Sequence, residues 1–163
     1  MTIQAEIDYY NNLPVTFNSF IDVPTLSDGE IYLVCTNKMP AIPEKKWVPN
    51  YQFAICKNGE QVGETNLRIG YTEGLYYGGQ IGYNIREEFR GNGYAARGVR
   101  LLASVAKAHD MTKLLITNNP QNIASVRVCE KLGAHLLRTT ELPEWHDLKQ
   151  LFSHVNIWEW KLA

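Results

Sequence analysis

Between an apolar run, Tyr76 to Ile85, and a long amphipathic stretch that starts at Tyr94 lies the hexapeptide Arg90-Gly91-Asn92-Gly93-Tyr94-Ala95. Two glycines, one residue apart, thus stand at the mouth of a helix. Glycine lets the backbone turn sharply and approach a ligand with no Cβ in the way. The first backbone N–H groups of the helix then point outward unpaired, and the helix dipole adds partial positive charge. Such a loop is a cradle for phosphate oxygens. The strand before it and the helix after it are therefore expected to belong to one α/β layer.

The rest of the chain reads in order around that loop. In Met1 to Asp28, Ile7, Tyr10, Leu13, Phe17 and Phe20 recur at helical spacing, interrupted by Pro14 and Pro24. Asp28-Gly29 is a turn signal, and Ile31 to Thr36 reads as a buried strand. Three prolines make Lys38 to Asn50 a loop. Tyr51 to Cys56 is the next strand. Asn58-Gly59 is a strong hairpin signal, which returns the chain as Gln61 to Ile69. A turn over Tyr71 to Leu75 leads to a fourth strand, Tyr76 to Ile85. A helix from Tyr94 to about Asp110 buries Ala95, Val99, Leu102 and Ala106 on one stripe. Lys113 to Thr117 is a fifth strand, parallel to the fourth because a helix connects them. Asn119-Pro120 reads as N-cap and first position of a second helix, which Gly133 closes. Ala134 to Thr140, a connector from Glu141 to Ser153, and Val155 to Leu162 complete a sheet.

The chain of 163 residues is long enough for one domain, residues 1–163, with its own core. A net charge of -1, with both signs interspersed, gives no footprint for nucleic acid. No apolar run is long enough for a membrane span, and Met1 to Tyr10 lacks the pattern of a signal peptide. Cys35, Cys56 and Cys129 are an odd number without metal-ligand spacing. They read as reduced thiols, so the expected location is the cytoplasm, and no metal is expected.

Three ligand classes use glycine-rich loops. A nucleotide P-loop requires a Lys-Ser or Lys-Thr that is missing here. Gly91-x-Gly93-x-x-Ala96 matches a dinucleotide fingerprint, but the acidic partner would be Asp110. That residue precedes the next strand instead of ending it. The third pattern, Arg90-x-x-Gly93-x-Ala95, resembles the pyrophosphate loop of the GCN5-related N-acetyltransferases (GNAT family). Ile81-Gly82-Tyr83-Asn84-Ile85 is similar to the strand that precedes that loop. Asn122 to Ala134, with Asn-x-x-Ser and Glu-Lys-Leu-Gly, is similar to the family's second helix. The likeness extends over about Tyr51 to Thr140.

The resemblance implies a fold: α/β, with a mixed, mostly antiparallel sheet of six or seven strands and helices on both faces. It implies acetyl-CoA as acyl donor. The backbone around Tyr83 and Ile85 would pair with the pantetheine arm. Arg90, Gly91, Asn92, Gly93, Tyr94 and Ala95 would hold the pyrophosphate, and Asn122 and Ser125 would border the arm. The implied activity is acetyl transfer to an amine by direct attack in a ternary complex. The acceptor would be a small-molecule amine or a peptide N-terminus, with no membrane or nucleic-acid partner, and the protein a monomer or homodimer.

Asn122, Ser125 and Cys129 are spaced to share one helix face. The family often has Tyr, as proton donor to the departing thiolate, where this chain has Cys129. Ser125 is the substitute donor, and Cys129 a second candidate or a buried apolar residue. Glu64, Glu73, Glu144 and His146 are candidate bases, with His146 singled out because the connector borders the acceptor side in the family. The absent tyrosine leaves a non-catalytic acyl-CoA sensor as one alternative, and a dinucleotide enzyme as another.

Overall fold

A computed structural model describes all residues, 1–163. Two sheets lie side by side. The first is antiparallel, in the order β1 (Leu26–Ser27), β2 (Ile31–Met39), β3 (Asn50–Lys57), β4 (Glu60–Arg68), β5 (Ile81–Ile85). The second has β6 (Lys113–Asn118) at one edge, β8 (His154–Lys161) in the centre and β7 (His135–Glu141) at the other edge. Seven substantial strands in an α/β arrangement match the expected architecture, with the two-residue β1 added.

Local chemistry explains most of the ladder. Asn58 (φ 52°) and Gly59 (φ 78°) both adopt left-handed backbone, the geometry whose twist suits a two-residue hairpin. The prolines of the β2–β3 connection leave only a short 3-10 turn, Pro43–Lys45, and one bridge between Ile42 and Trp47.

Helices cover opposite faces of the second sheet because its side chains alternate. Leu114, Ile116, Trp158 and Trp160 join the main core beneath α3 (Tyr94–Leu101), α4 (Ala103–Ala108) and α5 (Ile123–Leu132). Leu115, Val155 and Ile157 face the other way, onto Ile7 and Tyr10 of α1 (Ile3–Asn11) and Tyr76 and Tyr77 of α2 (Glu73–Gly78). Glu159 enters that layer only because the Tyr10 hydroxyl donates to it, with Lys113 nearby.

Four expectations change. Tyr76 to Gly79 is not strand. Thr72 caps a helix by accepting the Leu75 N–H (3.1 Å), and Gly79 ends it at φ 79°. Two adjacent tyrosines look strand-like, but the cap and the burial of both rings against α1 and β8 decide the outcome. Accordingly, Tyr71 to Leu75 is the entry to that helix and not a simple turn. The helix expected from Tyr94 to Asp110 divides at Leu102, where a 3-10 type bond to the Val99 carbonyl (2.9 Å) tightens the turn. Asn122, not Asn119, caps α5, accepting the Ser125 N–H at 3.2 Å. Asn119 instead makes a turn of its own, accepting from Gln121, so Pro120 sits before the helix.

β5 and β6 run side by side in the same sense yet share no strand ladder. They are joined at one end by Gln80, which is fully buried. Its backbone N–H donates to the Leu115 carbonyl (2.9 Å), and its Oε1 accepts the Leu115 N–H (2.6 Å). Its Nε2 donates to the Gly70 carbonyl at 3.1 Å. Beyond this clasp no backbone hydrogen bond joins the two strands, which leaves a break, or cleft, between the two sheets.

Candidate active site

The glycine loop follows β5 and leads into α3. Gly91 (φ 85°) and Gly93 (φ 77°) both take left-handed backbone, which side chains with a Cβ resist. Gly93 is the N-cap of α3 and offers no side chain to its first turn, so those N–H groups remain available to a ligand. A Cβ at Gly91 would meet nothing, so the glycine is required by conformation and leaves open space. Arg90 braces the turn, donating Nε–H to the Ile85 carbonyl (2.9 Å). Asn92 does the same toward Phe89 at 2.9 Å. The Lys131 ammonium lies 3.5 Å from the point a Gly93 Cβ would occupy. In sequence a lysine in a last helical turn signals only dipole compensation, so this placement of Lys131 has no local signature. Arg100 holds it there by donating to the Lys131 carbonyl at 2.7 Å, which ties α3 to α5.

Within the cleft, β5 and α5 meet through side chains. Tyr83 points toward α5, and its hydroxyl lies 2.6 Å from Ser125 Oγ. Asn118 Nδ2 donates to Ser125 Oγ (3.2 Å) and to Cys129 Sγ (3.5 Å). The Asn118 Oδ1 accepts from Asn156 (3.1 Å) and from the Trp158 indole (3.3 Å), which fixes the amide orientation. Burial, followed by the neighbouring Cys129, pushes the Tyr83 hydroxyl well above the ordinary phenol value, so it stays protonated. Cys129 is fully buried, and burial raises its thiol to about 12. A neutral thiol there is neither a ready nucleophile nor a ready anion. The sequence pattern brought Ser125 and Cys129 together correctly, and the structure adds Asn118 and the side chain of Tyr83.

Asn122 stands at the cleft-side start of α5. Its Oδ1 is committed to the cap, which leaves the amide NH₂ free to donate. Tyr94 and Ala95 are both buried in the first turn of α3. Tyr94 receives a hydrogen bond from Lys57 at 3.0 Å.

The opposite face of β4 and β5 carries Glu64, Asn66, Arg68, Gly82 and Asn84, because these alternate with the core residues Leu67, Ile81 and Ile85. Asn66 pairs across the ladder with Gly82, where a Cβ would come within 2.5 Å of its Oδ1. His146 borders this side, its Nε2 directed at the Gly74 carbonyl (2.9 Å) and its Nδ1 accepting the Leu148 N–H (3.2 Å). Both ring nitrogens thereby have partners, and the ring stacks edge-on to Tyr77. These contacts hold His146 against α2. Glu144 is paired with Lys149 at 3.4 Å, and Glu73 lies exposed in the first turn of α2. No cluster of three His, Cys, Asp or Glu side chains is placed to hold a metal, and no helix is long and apolar enough to cross a membrane.

Comparison with known proteins places this geometry. The solved structure of RimL, a ribosomal L7/L12 alpha-N-protein acetyltransferase in complex with coenzyme A, superposes with a TM-score of 0.62 at 14% identity. The match covers 85% of this chain and 98% of that one. The microcin C7 self-immunity acetyltransferase MccE, bound to acetyl-CoA and AMP, gives 0.59 at 14% identity, over 83% and 94%. YncA, a putative acetyltransferase from Salmonella typhimurium with acetyl-CoA, gives 0.54 at 14% identity, over 70% and 65%. No curated protein sequence matches. The fold is thus one that these acetyltransferases share. A family model described as "Acetyltransferase (GNAT) domain" matches residues 16–135, and the chain belongs to that family, as an acyltransferase.

Proposed function

We propose that the protein moves an acetyl group from acetyl-CoA to a primary amine, a small molecule or a peptide N-terminus, by direct attack in a ternary complex. The observation that carries this reading is the break in the ladder between β5 and β6, bridged by the Tyr83–Ser125 hydroxyl pair, together with the glycine loop that follows β5. The single domain, residues 1–163, would work in a reducing compartment such as the cytoplasm, where Cys35, Cys56 and Cys129 stay free.

The pyrophosphate would rest on the N–H groups of Asn92 to Ala95 and the first turn of α3, beneath Arg90 and Lys131. The pantetheine arm would follow the β5 edge that β6 leaves unpaired, at Tyr83 and Ile85, within reach of the Asn122 amide. The donor supplies a thioester carbonyl that a strand N–H can polarise.

On the acceptor side, Glu64 shares the face of Gly82 and Asn84 and can take, through water, the proton that an ammonium must lose. The amine lone pair attacks the carbonyl carbon, and the C–N bond forms as the C–S bond breaks. The departing thiolate takes a proton from the Tyr83–Ser125 pair, and the attacking nitrogen returns one as the amide forms. Tyr83 so fills the part of the tyrosine that the family often carries at the position of Cys129. Holding both partners in one cleft supplies a large share of the acceleration.

The test is release of free thiol from acetyl-CoA over a panel of amines, with mass spectrometry of the product. Amine-dependent thiol release matched by N-acetylated product supports transfer. Binding of coenzyme A without turnover on any amine would reject it.

A further inference from the structure

Arg68 is a half-buried cation with no anion. It is the last residue of β4, on the open face two positions from Asn66. One guanidinium nitrogen donates to the Gly79 carbonyl at 3.0 Å. The guanidinium makes no other hydrogen bond to protein and no ion pair. Burial alone perturbs it, lowering its pKa, with no charged neighbour contributing. The other arginines that share a face with carboxylates have found them: Arg97 with Asp28 and Glu30, Arg138 with Glu6.

The surroundings suit a ligand better than they suit an isolated cation. Arg68 pairs across the ladder with Asn50, and the Asn66 amide donates to Asn50 Oδ1 at 3.0 Å. Next to them Gly82 and Gly79 carry no side chain, and the Asn66 side chain and β6 pack into the space a Cβ would take. A Cβ at Gly79 would lie 3.0 Å from the Leu115 carbonyl. A guanidinium has five donors in a planar fork, and one backbone carbonyl occupies only one of them. The matching partner for the remainder is a carboxylate, bound with two parallel hydrogen bonds.

We propose that Arg68 binds a carboxylate of the amine acceptor, so that the acceptor class is amines that also carry an acid group. This rests on the transferase reading above and narrows its acceptor. The carboxylate can be the α-carboxylate of a free amino acid or an acidic side chain next to a peptide N-terminus. The Gly79 carbonyl holds the guanidinium in place, on the strand face that also carries Glu64 and Asn66.

The experiment compares serine with serinamide, and seryl-aspartyl amide with seryl-asparaginyl amide, as acceptors. Each carboxylate form is expected to exceed its amide by roughly 10- to 100-fold in kcat/KM, chiefly through KM. The first pair reports the amino-acid source and the second the peptide source. In Arg68→Met the preference should collapse to about one, and Arg68→Lys should restore part of it. A role limited to holding Gly79 would lower activity on all four acceptors alike and leave the ratio standing, which would overturn the inference. Equal use of acid and amide forms by the natural chain would overturn it as well. Should no amine be turned over, the transferase reading falls by itself. Calorimetry of seryl-aspartyl amide against the coenzyme A-loaded chain and its Arg68→Met variant then decides. Binding lost in the variant supports the site, and binding that is absent or unchanged rejects it. If Arg68→Met unfolds, Arg68→Gln, which keeps a donor for the Gly79 carbonyl, replaces it.

Discussion

The hydroxyl of Tyr83 and the Oγ of Ser125 stand 2.6 Å apart, one on β5 and the other on α5, across the cleft between the two sheets. Asn118 donates to the serine from below, so the pair has a fixed orientation and one shared proton path. Removing either hydroxyl should therefore lower kcat by about 10- to 100-fold with little change in KM for acetyl-CoA. The two losses should not add. Tyr83→Phe, Ser125→Ala and their combination, compared by steady-state thiol release, check this. A double variant that loses the product of the two single effects would mean the hydroxyls act separately.

Gly93 is a position where conformation and ligand space coincide. Its φ of 77° costs about 1–2 kcal/mol for a residue with a Cβ. An acidic side chain would also meet the Lys131 ammonium and oppose a pyrophosphate. Gly93→Glu should keep its fold, with a modest fall in Tm, and lose coenzyme A binding. Calorimetry and circular dichroism on the same sample separate the two effects.

Gln80 makes four hydrogen bonds in a fully buried site, two of them to Leu115 of β6. Gln80→Leu leaves the Leu115 N–H and the Gly70 carbonyl unpaired, at an expected cost of about 2–4 kcal/mol. Urea unfolding should show a lower midpoint with an unchanged slope. Near-neutral behaviour would mean that the strands hold together without the clasp.

Arg97 joins the first turn of the β2 hairpin to α3 through Asp28 (2.8 Å) and Glu30 (2.7 Å). The Arg97 hydrogen bond holds the Asp28 carboxyl down at about 2, below its unfolded value. A depressed acid stabilises the fold above its unfolded pKa, near 4, and loses that contribution as pH falls toward 2. The pair is partly exposed, so about 1 kcal/mol is at stake. Asp28→Asn should lower Tm at pH 7 by a few degrees and flatten the loss of stability between pH 4 and pH 2. An equally steep acid limb in the variant would exclude this pair as its source.

The parts of this fold visible in the sequence were those set by short-range chemistry. Asn58-Gly59 fixed a hairpin, Gly133 closed a helix at φ 75°, and Gly91 and Gly93 marked the loop. Ser125 and Cys129 could be placed together because helical spacing is geometric. What escaped depended on distant partners. Tyr76 and Tyr77 became helical because α1 and β8 bury them, which no local preference reveals. The Tyr83 side chain gains its meaning from Ser125, 42 residues later. Gln80 is the buried link between two sheets, and nothing next to it in the sequence signals that. Arg68 reads in sequence as an ordinary strand-end cation. Only the fold shows that no acid comes to meet it.

Amine-dependent release of thiol from acetyl-CoA, followed with the natural chain and with Gly93→Glu, joins the loop, the cleft and the chemistry in one assay. The expected result is one free thiol for each N-acetylated product in the natural chain and none above background in the variant. Thiol release that continues at the same rate without amine, or that survives in Gly93→Glu, would contradict transfer from a donor held by the Arg90 to Ala95 loop.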